Sequence, residues 1–132
     1  MKLENRYPNH QEDEEMKTII INNLEWQAKD DGIKRTWEES IDYATTLGDG
    51  WRLPTIEELF SIIDFTAYKP ACKIDFCRSS YYWSSSPHIN HSDYAWYVYF
   101  YDGDVSYRDK CYHDYVRCVR PVAAEGVSDE IL

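Results

Sequence analysis

Apolar and polar positions alternate most strictly over Ala95–Tyr101. Successive side chains of a strand point to opposite faces, so this pattern predicts a strand with one apolar face and one face of tyrosines. The apolar positions are Trp96, Val98 and Phe100, and the tyrosines are Tyr97, Tyr99 and Tyr101. Asp102 and Gly103 follow directly and are typical of a hairpin turn.

Two further stretches have strand-like patterns. Thr18–Trp26 is rich in isoleucine and predicts a strand near the start of the chain. Tyr115–Val122 predicts the returning strand, which Pro121 ends because proline cannot donate to a ladder. The tryptophans predicted to lie in the core are Trp51, Trp83 and Trp96.

A first helix is predicted to begin after Thr36. Thr36 and Glu39 have the spacing of a capping box, in which the hydroxyl and the carboxylate each accept a backbone N–H. The helix should end near Leu47, because Gly48 and Gly50 follow. Its predicted buried stripe consists of Trp37, Ile41, Ala44 and Leu47.

A second helix is predicted to begin after Thr55, where Thr55 and Glu58 repeat the capping-box spacing. It should end near Asp64, with Leu59, Ile62 and Ile63 on its core face. Glu57 and Glu58 could act as general acid and base, but acids in a first helical turn are explained by the helix dipole. We therefore expect no catalytic site here, and the chain shows no other convincing catalytic constellation.

The length of 132 residues suits one domain with one core. We divide it into a flexible acidic arm at 1–16, a folded domain at 17–122 and an acidic tail at 123–132. The element pattern predicts the α+β class: two helices and a small antiparallel sheet with long loops. No stretch has the pattern of a secretion signal or a membrane span, so the default expectation is a cytoplasmic or virion-associated protein without membrane insertion.

Charge and composition restrict the ligand. The formal net charge is -10, which disfavours nucleic acid because a phosphate backbone attracts a basic surface. A basic protein partner, or mimicry of nucleic acid by the acidic chain, is compatible with this charge. The 12 tyrosines favour half-exposed surfaces, since Tyr combines a large ring with a polar tip.

The four cysteines, Cys72, Cys77, Cys111 and Cys118, allow disulfides or a metal site. Cys72 and Cys77 have the C-x4-C spacing that structural zinc tolerates, and His88, His91 or His113 could complete such a site. Without a secretion signal, however, reduced thiols are the default. We expect neither a metal nor another cofactor.

The candidate binding residues lie on and around the predicted strands of the last third of the chain. They are mostly Tyr, Asp, Ser, His and Arg, and Ser106–Asp109 and Tyr112–Asp114 avoid the Lys, Glu and Gln that usually fill solvated turns. Tyrosine offers contact area at low conformational cost, and Tyr and Arg are frequent hot-spot residues. The candidates are His88, His91, Asp93, Tyr94, Tyr99, Tyr101, Asp102, Asp104, Ser106, Tyr107, Arg108, Asp109, Tyr112, His113 and Asp114.

Four segments carry a family resemblance by their order. They are TWEESIDYATTLGDGWRLPTIEELFSIID, YYWSSSP, AWYVYFYDGDV and YVRCVRPV. Together they resemble the C-terminal domain of the Legionella collagen-like protein family over about residues 18–122. The resemblance implies a C-type-lectin-like fold, which formylglycine-generating enzymes share. Relatives often have Cys where this chain has Ala44, so the partner implied for Cys118 is missing. The calcium motifs of sugar-binding lectins are also absent from the sequence, so calcium-dependent sugar binding is not implied.

Some members of this family are variable proteins of diversity-generating retroelements, which randomise adenines in Asn codons. Such codons yield residues like Tyr, Asp, Ser, His and Arg, but never Lys, Glu, Gln, Trp or Met. The positions that fit this substitution pattern are His88, Ile89, Asn90, His91, Ser92, Asp93, Tyr94, Tyr99, Tyr101, Asp102, Asp104, Ser106, Tyr107, Arg108, Asp109, Cys111, Tyr112, His113 and Asp114. The residues between them that read as fixed framework are Trp96, Val98, Phe100, Gly103, Val105 and Lys110.

Three functions follow as hypotheses. The first, which we favour, is a non-enzymatic display protein that binds a protein or cell-surface ligand. The second is an acidic inhibitor or mimic that blocks a basic partner. The third is a copper-dependent oxidase of the formylglycine-generating type, for which Cys111 and Cys118 are the only late cysteine pair. The sequence does not identify the ligand or the oligomeric state.

Overall fold

The computed structural model describes residues 16–123. The strands are β1 (Thr18–Ile21), β2 (Leu24–Gln27), β3 (Tyr81–His88), β4 (His91–Tyr99), β5 (Asp104–Asp109) and β6 (Val119–Pro121), and the helices are α1 (Trp37–Leu47) and α2 (Ile56–Phe60). This content confirms the predicted α+β class, while the C-type-lectin-like fold stays a prediction. Neither helix of the described range has the length and apolar character needed to span a bilayer. The predicted arm and tail lie outside this range, apart from Met16 and Ala123.

The first sheet has the strand order β1-β2-β6 and is antiparallel. The prediction of one strand over Thr18–Trp26 is wrong, because Asn22 and Asn23 adopt φ angles of 56° and 66° and turn the chain into a hairpin. Asparagine tolerates this left-handed conformation better than most residues, and two such residues in succession form a tight hairpin turn. The isoleucine-rich run therefore folds back on itself.

Both capping boxes are present as predicted. Thr36 accepts a hydrogen bond from the Glu39 N–H at 3.2 Å, and the Glu39 carboxylate accepts one from the Thr36 N–H at 3.0 Å. Helix α1 ends at Leu47, where Gly48 adopts a φ of 67°. Helix α2 ends at Phe60 rather than near Asp64, since turns continue the chain beyond it. The predicted core residues Leu59, Ile62 and Ile63 are nevertheless buried.

The second sheet has the order β3-β4-β5, and both connections are hairpins. Gly103 belongs to the predicted turn between β4 and β5. It adopts a φ of 89°, and a Cβ at this position would lie 2.9 Å from the Ile63 side chain. The prediction of a returning strand over Tyr115–Val122 is wrong in its length. Only Val119–Pro121 forms a strand, and it pairs with β2, because β5 already occupies the free side of β4.

The second sheet lies between two apolar cores, and each core covers one half of one face. Core 1 contains, among others, Leu59, Ile62, Tyr82, Val98 and Phe100. Core 2 contains, among others, Ala44, Trp51, Trp83, Ala95 and Val116. The β3–β4 register places Tyr82 opposite Val98 and Trp83 opposite Tyr97, so the cores touch opposite faces. The half of each face that no core covers is the part available for binding.

Trp96 corrects the predicted set of core tryptophans. Trp51 and Trp83 are buried as predicted, but Trp96 is only partly buried. It shares a face with Val98, yet it lies towards the β3–β4 turn, beyond the end of core 1. Ala95, from the opposite face, is instead fully buried in core 2. Alternation assigns side chains to faces correctly, but it does not determine how far along a strand the core extends.

Candidate ligand-binding surfaces

Four tyrosine rings form a continuous series across β3, β4 and the turn that follows. Tyr81 stacks on Tyr99 with ring centroids 4.1 Å apart and an interplanar angle of 7°. Tyr97 meets Tyr81 edge-on at 5.1 Å, and Tyr101 stacks on Tyr99 at 5.7 Å. All four rings are partly exposed. We define the tyrosine surface as these rings with their neighbours: Tyr68, Tyr81, Tyr97, Tyr99, Tyr101, Arg108 and Tyr112.

Arg108 lies within the tyrosine surface, between two rings. Its Cζ atom is 4.3 Å from the ring centroid of Tyr81 and 4.1 Å from that of Tyr112. One Nη atom lies 3.4 Å from Oδ1 of Asp114, and 22% of the Arg108 side chain stays exposed. Cation–π contacts on both sides restrict the guanidinium, so a ligand that binds it need not order a mobile side chain.

Asp114 is not a surface residue, contrary to its place among the sequence candidates. It is 2% exposed, because its backbone pairs with that of Arg35 and so draws the side chain inward. Its Oδ2 atom has no hydrogen-bond partner among the described residues. Burial raises the pKa of Asp114 to about 6, although the nearby Arg108 and Lys34 oppose this shift. Asp114 therefore supports Arg108 from below and is not placed to touch a ligand.

The tyrosine surface continues to the β4–β5 turn. The hydroxyl groups of Tyr68 and Tyr101 are 2.7 Å apart, and Tyr68 is 62% exposed. Beyond them, Asp102 and Asp104 are exposed, and the Asp102 carboxylate accepts a hydrogen bond from the Asp104 N–H at 3.1 Å. Ser106 lies on the same face as Asp104, next to Tyr97. Carboxylates thus border one end of the aromatic series.

A second aromatic group occupies the opposite face, at the other end of the sheet. We name it the histidine cluster, and its members are His88, His91, Tyr94, Trp96 and Tyr107. The His88 ring stacks on Trp96 with centroids 5.6 Å apart and meets Tyr107 edge-on at 4.3 Å. His91 lies 5.1 Å from His88 and 5.3 Å from Tyr94. Tyr107 is 40% exposed, so this cluster is also accessible.

Most of the sequence candidates therefore lie on one of two surfaces, and the others lie outside both. Tyr99, Tyr101, Asp102, Asp104, Ser106, Arg108 and Tyr112 lie on or beside the tyrosine surface, while His88, His91, Tyr94 and Tyr107 lie in the histidine cluster. Asp93 and His113 are exposed outside both surfaces. Asp109 accepts a hydrogen bond from the Cys111 N–H at 2.9 Å, and this bond lowers the pKa of its carboxyl group. Its carboxylate is thus engaged in shaping the turn after β5.

Sequence reasoning missed Tyr68, Tyr81 and Tyr97 as members of the tyrosine surface. Tyr97 could have been found, because it shares the alternation of Tyr99. Tyr81 gives a weaker signal, since its neighbour Tyr82 has the same residue type but is buried in core 1. Tyr68 gives no signal in the sequence, because only the tertiary structure brings its loop next to Tyr101.

The cysteines of the described range are all free. Cys118 is fully buried in core 2, where burial raises the pKa of its thiol to about 12, whereas Cys111 is exposed. The copper-oxidase alternative requires Cys111 and Cys118 as a pair, but one thiol is at the surface and the other is in core 2. Within residues 16–123, no group of three or more His, Cys, Asp or Glu side chains is arranged to hold a metal ion.

The family model described as the Lcl C-terminal domain matches residues 20–120. The chain belongs to the Lcl C-terminal domain family. This match extends from β1 to β6 and includes both cores, the tyrosine surface and the histidine cluster. No curated protein matches the chain significantly. The resemblance to the Legionella collagen-like proteins is thus confirmed at the level of the family. Membership in this family is consistent with a role in recognition.

Proposed function

We propose that this Lcl C-terminal domain is a non-enzymatic recognition module that binds the surface of another macromolecule through its tyrosine surface. The strongest support is the position of the Arg108 guanidinium, which lies at the surface between the rings of Tyr81 and Tyr112. Tyrosine and arginine dominate the energetics of many protein interfaces, and rigid rings lose little entropy on binding. The ligand class is a protein or a cell-surface molecule, and binding requires no calcium.

The tyrosine surface is preferred to the histidine cluster because it has seven side chains that are at least partly exposed, compared with five in the cluster. It runs from Tyr112 through Arg108 and Tyr99 to Tyr68, and its two ends are 50% and 62% exposed. Directional groups lie among the rings: the Arg108 guanidinium, the Ser106 hydroxyl and the tyrosine hydroxyls. An interface of this composition can discriminate between ligands by hydrogen bonds while aromatic contact supplies affinity.

Two matched triple variants test this proposal. The first changes Tyr99, Tyr101 and Tyr112 to Ala on the tyrosine surface. The second changes His91, Tyr94 and Tyr107 to Ala in the histidine cluster. Partners are captured from bacterial and animal-cell lysates with the unmodified chain and identified by mass spectrometry. Affinities of both variants for the purified partner are then measured together with their free energies of unfolding.

We expect the first variant to lose at least about thirtyfold in affinity, whereas the second loses less than about threefold. Both should remain folded, because the changed side chains are at least partly exposed. Equal affinity of the first variant and the unmodified chain would contradict the proposal. Loss of binding in the second variant alone would assign recognition to the histidine cluster instead.

We further propose that the recognition surface is diversified by a retroelement. Of the nineteen positions compatible with adenine randomisation, eleven are exposed, seven are partly buried and only Asp114 is buried. None of the six framework positions between them is exposed, and Val98, Phe100 and Gly103 are buried. Variation at the first set would change the surface while the second set keeps the cores intact.

A genomic observation tests the origin of this pattern. The gene should lie near a reverse-transcriptase gene and a near-repeat of the segment that encodes residues 88–120, with adenines at the variable positions. If neither the repeat nor the reverse transcriptase is present, the diversification proposal fails. Recognition through the tyrosine surface would be unaffected by that result.

A further inference from the structure

Among residues 16–123, the backbone groups along the outer edge of β5 have no partners. The Lys110 N–H donates to the Asp93 carbonyl at 2.8 Å, which identifies the hydrogen-bonded positions of the β4–β5 ladder. Bonded pairs recur at every second residue, so Val105 and Tyr107 direct their N–H and C=O groups away from β4. Within residues 16–123, no strand or side chain pairs with these outward groups.

The opposite edge of the same sheet is covered. The Trp83 N–H donates to Tyr115 at 3.1 Å, and the Tyr115 N–H donates to Tyr81 at 3.0 Å. Further along β3, the Ser85 N–H donates to Pro54 at 2.8 Å. Two different loops therefore supply hydrogen-bond partners to the outer edge of β3, while nothing within residues 16–123 covers β5. An open edge is a template for pairing with another chain, and proteins usually block such edges.

An apolar groove runs beside the open edge. It is lined by Ile56, Glu57, Phe60 and Val105 and has a volume of about 240 Å³. Phe60 is 49% exposed, and the neighbouring Phe65 is 66% exposed, with ring centroids 6.0 Å apart. A strand added to β5 would place alternate side chains over this groove. The edge and the groove thus form one site with both backbone and apolar contacts.

The charges around this edge select a basic occupant. Asp102 and Asp104 are exposed at the start of β5, and Glu57 lines the groove. Arg108 shares the face of Asp104, but Asp114 and the tyrosine rings already engage its guanidinium. The net charge of -10 also opposes pairing of two copies of this chain.

We propose that β5 binds an extended segment of a basic partner protein by strand addition. The segment contributes an apolar side chain to the groove and Lys or Arg to the acidic groups. This inference rests on one part of the proposed function, namely that the domain is a recognition module. It adds a contact through the backbone, which would be preserved when side chains of the tyrosine surface vary.

The test uses an acetylated and amidated peptide of about seven alternating Lys and Val residues, which is the usual length of a strand. Titration into the isotope-labelled chain is followed by amide chemical shifts and by hydrogen exchange. We expect protection of the Val105 and Tyr107 amides. A matched Glu–Val peptide should bind at least about tenfold more weakly, because its charge is reversed.

Two variants at one position separate the backbone from the side chain. Tyr107→Ala removes the ring and keeps the outward N–H, so its affinity for the Lys–Val peptide should stay within about threefold. Tyr107→Pro also removes the N–H, and proline is tolerated where that group faces solvent. It should weaken peptide binding by at least about tenfold. Phe60→Ser changes the groove without touching the strand and should weaken binding by about fivefold.

Equal peptide affinities of the Tyr107→Ala and Tyr107→Pro variants would overturn strand addition. If the proline variant does not fold, full binding by Phe60→Ser would overturn it instead. Protection of β1 amides, or tight binding of the Glu–Val peptide, would also contradict the proposal. Concentration-dependent broadening of the Val105 and Tyr107 signals without peptide would identify a second copy as the occupant. The triple variant of the tyrosine surface is measured separately, so failure here is distinguishable from failure of the proposed function.

Discussion

The tyrosine surface and the histidine cluster contain similar residue types, but they are supported in different ways. On the tyrosine surface, Tyr97 packs against core 2, and Arg108 is connected to the buried Asp114. The histidine cluster extends beyond core 1, and its rings pack mainly on one another. The first surface is thus continuous with the folded interior, whereas the second is an aromatic group at the end of a hairpin.

Because both surfaces are aromatic, aromatic content alone gives no reason to prefer one of them as the binding site. A ligand gains most from side chains that are already fixed, because ordering them on binding costs free energy. The buried Asp114 and the two flanking rings fix Arg108 before any ligand arrives. The histidine cluster has no comparable buried polar anchor among the described residues. We therefore expect changes beneath the tyrosine surface to affect both stability and binding.

The largest expected effect separates two tryptophans of the same sheet. Trp83→Ala should lower the free energy of unfolding by about 3–5 kcal/mol, because Trp83 is fully buried and its indole N–H donates to the Arg35 carbonyl. Trp96→Ala should cost only about 1–2 kcal/mol, since its ring is partly exposed. Urea denaturation of both variants measures this difference. Equal losses would mean that the histidine cluster belongs to the core.

The next effect is the pH dependence that comes from Asp114. Its folded pKa of about 6 lies above its unfolded value, so the folded chain binds more protons between about pH 4 and pH 6. The contribution of Asp114 to stability is therefore most favourable below pH 4 and decreases as the pH rises through 6, by about 3 kcal/mol. Asp114→Asn removes this titration.

Urea denaturation of the Asp114→Asn variant and the unmodified chain at pH 4, 5, 6 and 7 measures the effect. The difference between them should move in favour of the variant as the pH rises. Comparison with the unmodified chain also cancels the opposite contributions of Glu25 and Glu58, whose pKa values are lowered by Arg120 and Arg52. A difference that does not change with pH would show that Asp114 is not a buried titrating group.

A smaller effect tests whether the clamped guanidinium contributes to recognition. Arg108→Lys keeps the charge but loses the planar group that lies between Tyr81 and Tyr112, so affinity for the captured partner should fall by about tenfold. Arg120→Lys is the matched control, because Arg120 also lies over an aromatic ring, that of Trp51, at 4.5 Å. Both changes should cost about 1 kcal/mol of stability. Equal losses of affinity would contradict a specific role for Arg108.

The smallest expected effect concerns calcium. Binding of the captured partner should change by less than about twofold when calcium is removed with EDTA, because the proposed surface uses aromatic rings, hydroxyl groups and a guanidinium. Isothermal titration calorimetry with and without calcium measures this. Restoration of a lost affinity by added calcium would instead require a carboxylate site, for which Asp102 and Asp104 would be the first residues to change.

Much of the local structure could be predicted from the sequence. Both capping boxes, the end of α1 at Gly48 and the turn at Gly103 depend on residues close together in the chain, and all are present. Residue type also predicted correctly that most of the candidate residues are at least partly exposed. The hairpin at Asn22 and Asn23 was missed, although two successive asparagines are a recognised turn signal. The partner of β6 could not be predicted, because strand pairing depends on contacts between distant segments.

By itself, the sequence determined which side chains share a face and which residues are suited to recognition, because alternation and side-chain chemistry are local properties. Only the tertiary structure decided which half of each face remains exposed. The two cores cover opposite halves of one sheet, so Trp96 and Val98 share a face but differ in burial. The same arrangement buries Asp114 beneath Arg108, and it leaves the edge of β5 uncovered by the part of the chain that the structure describes. These outcomes depend on where the helices and loops pack, which no short segment of the chain specifies.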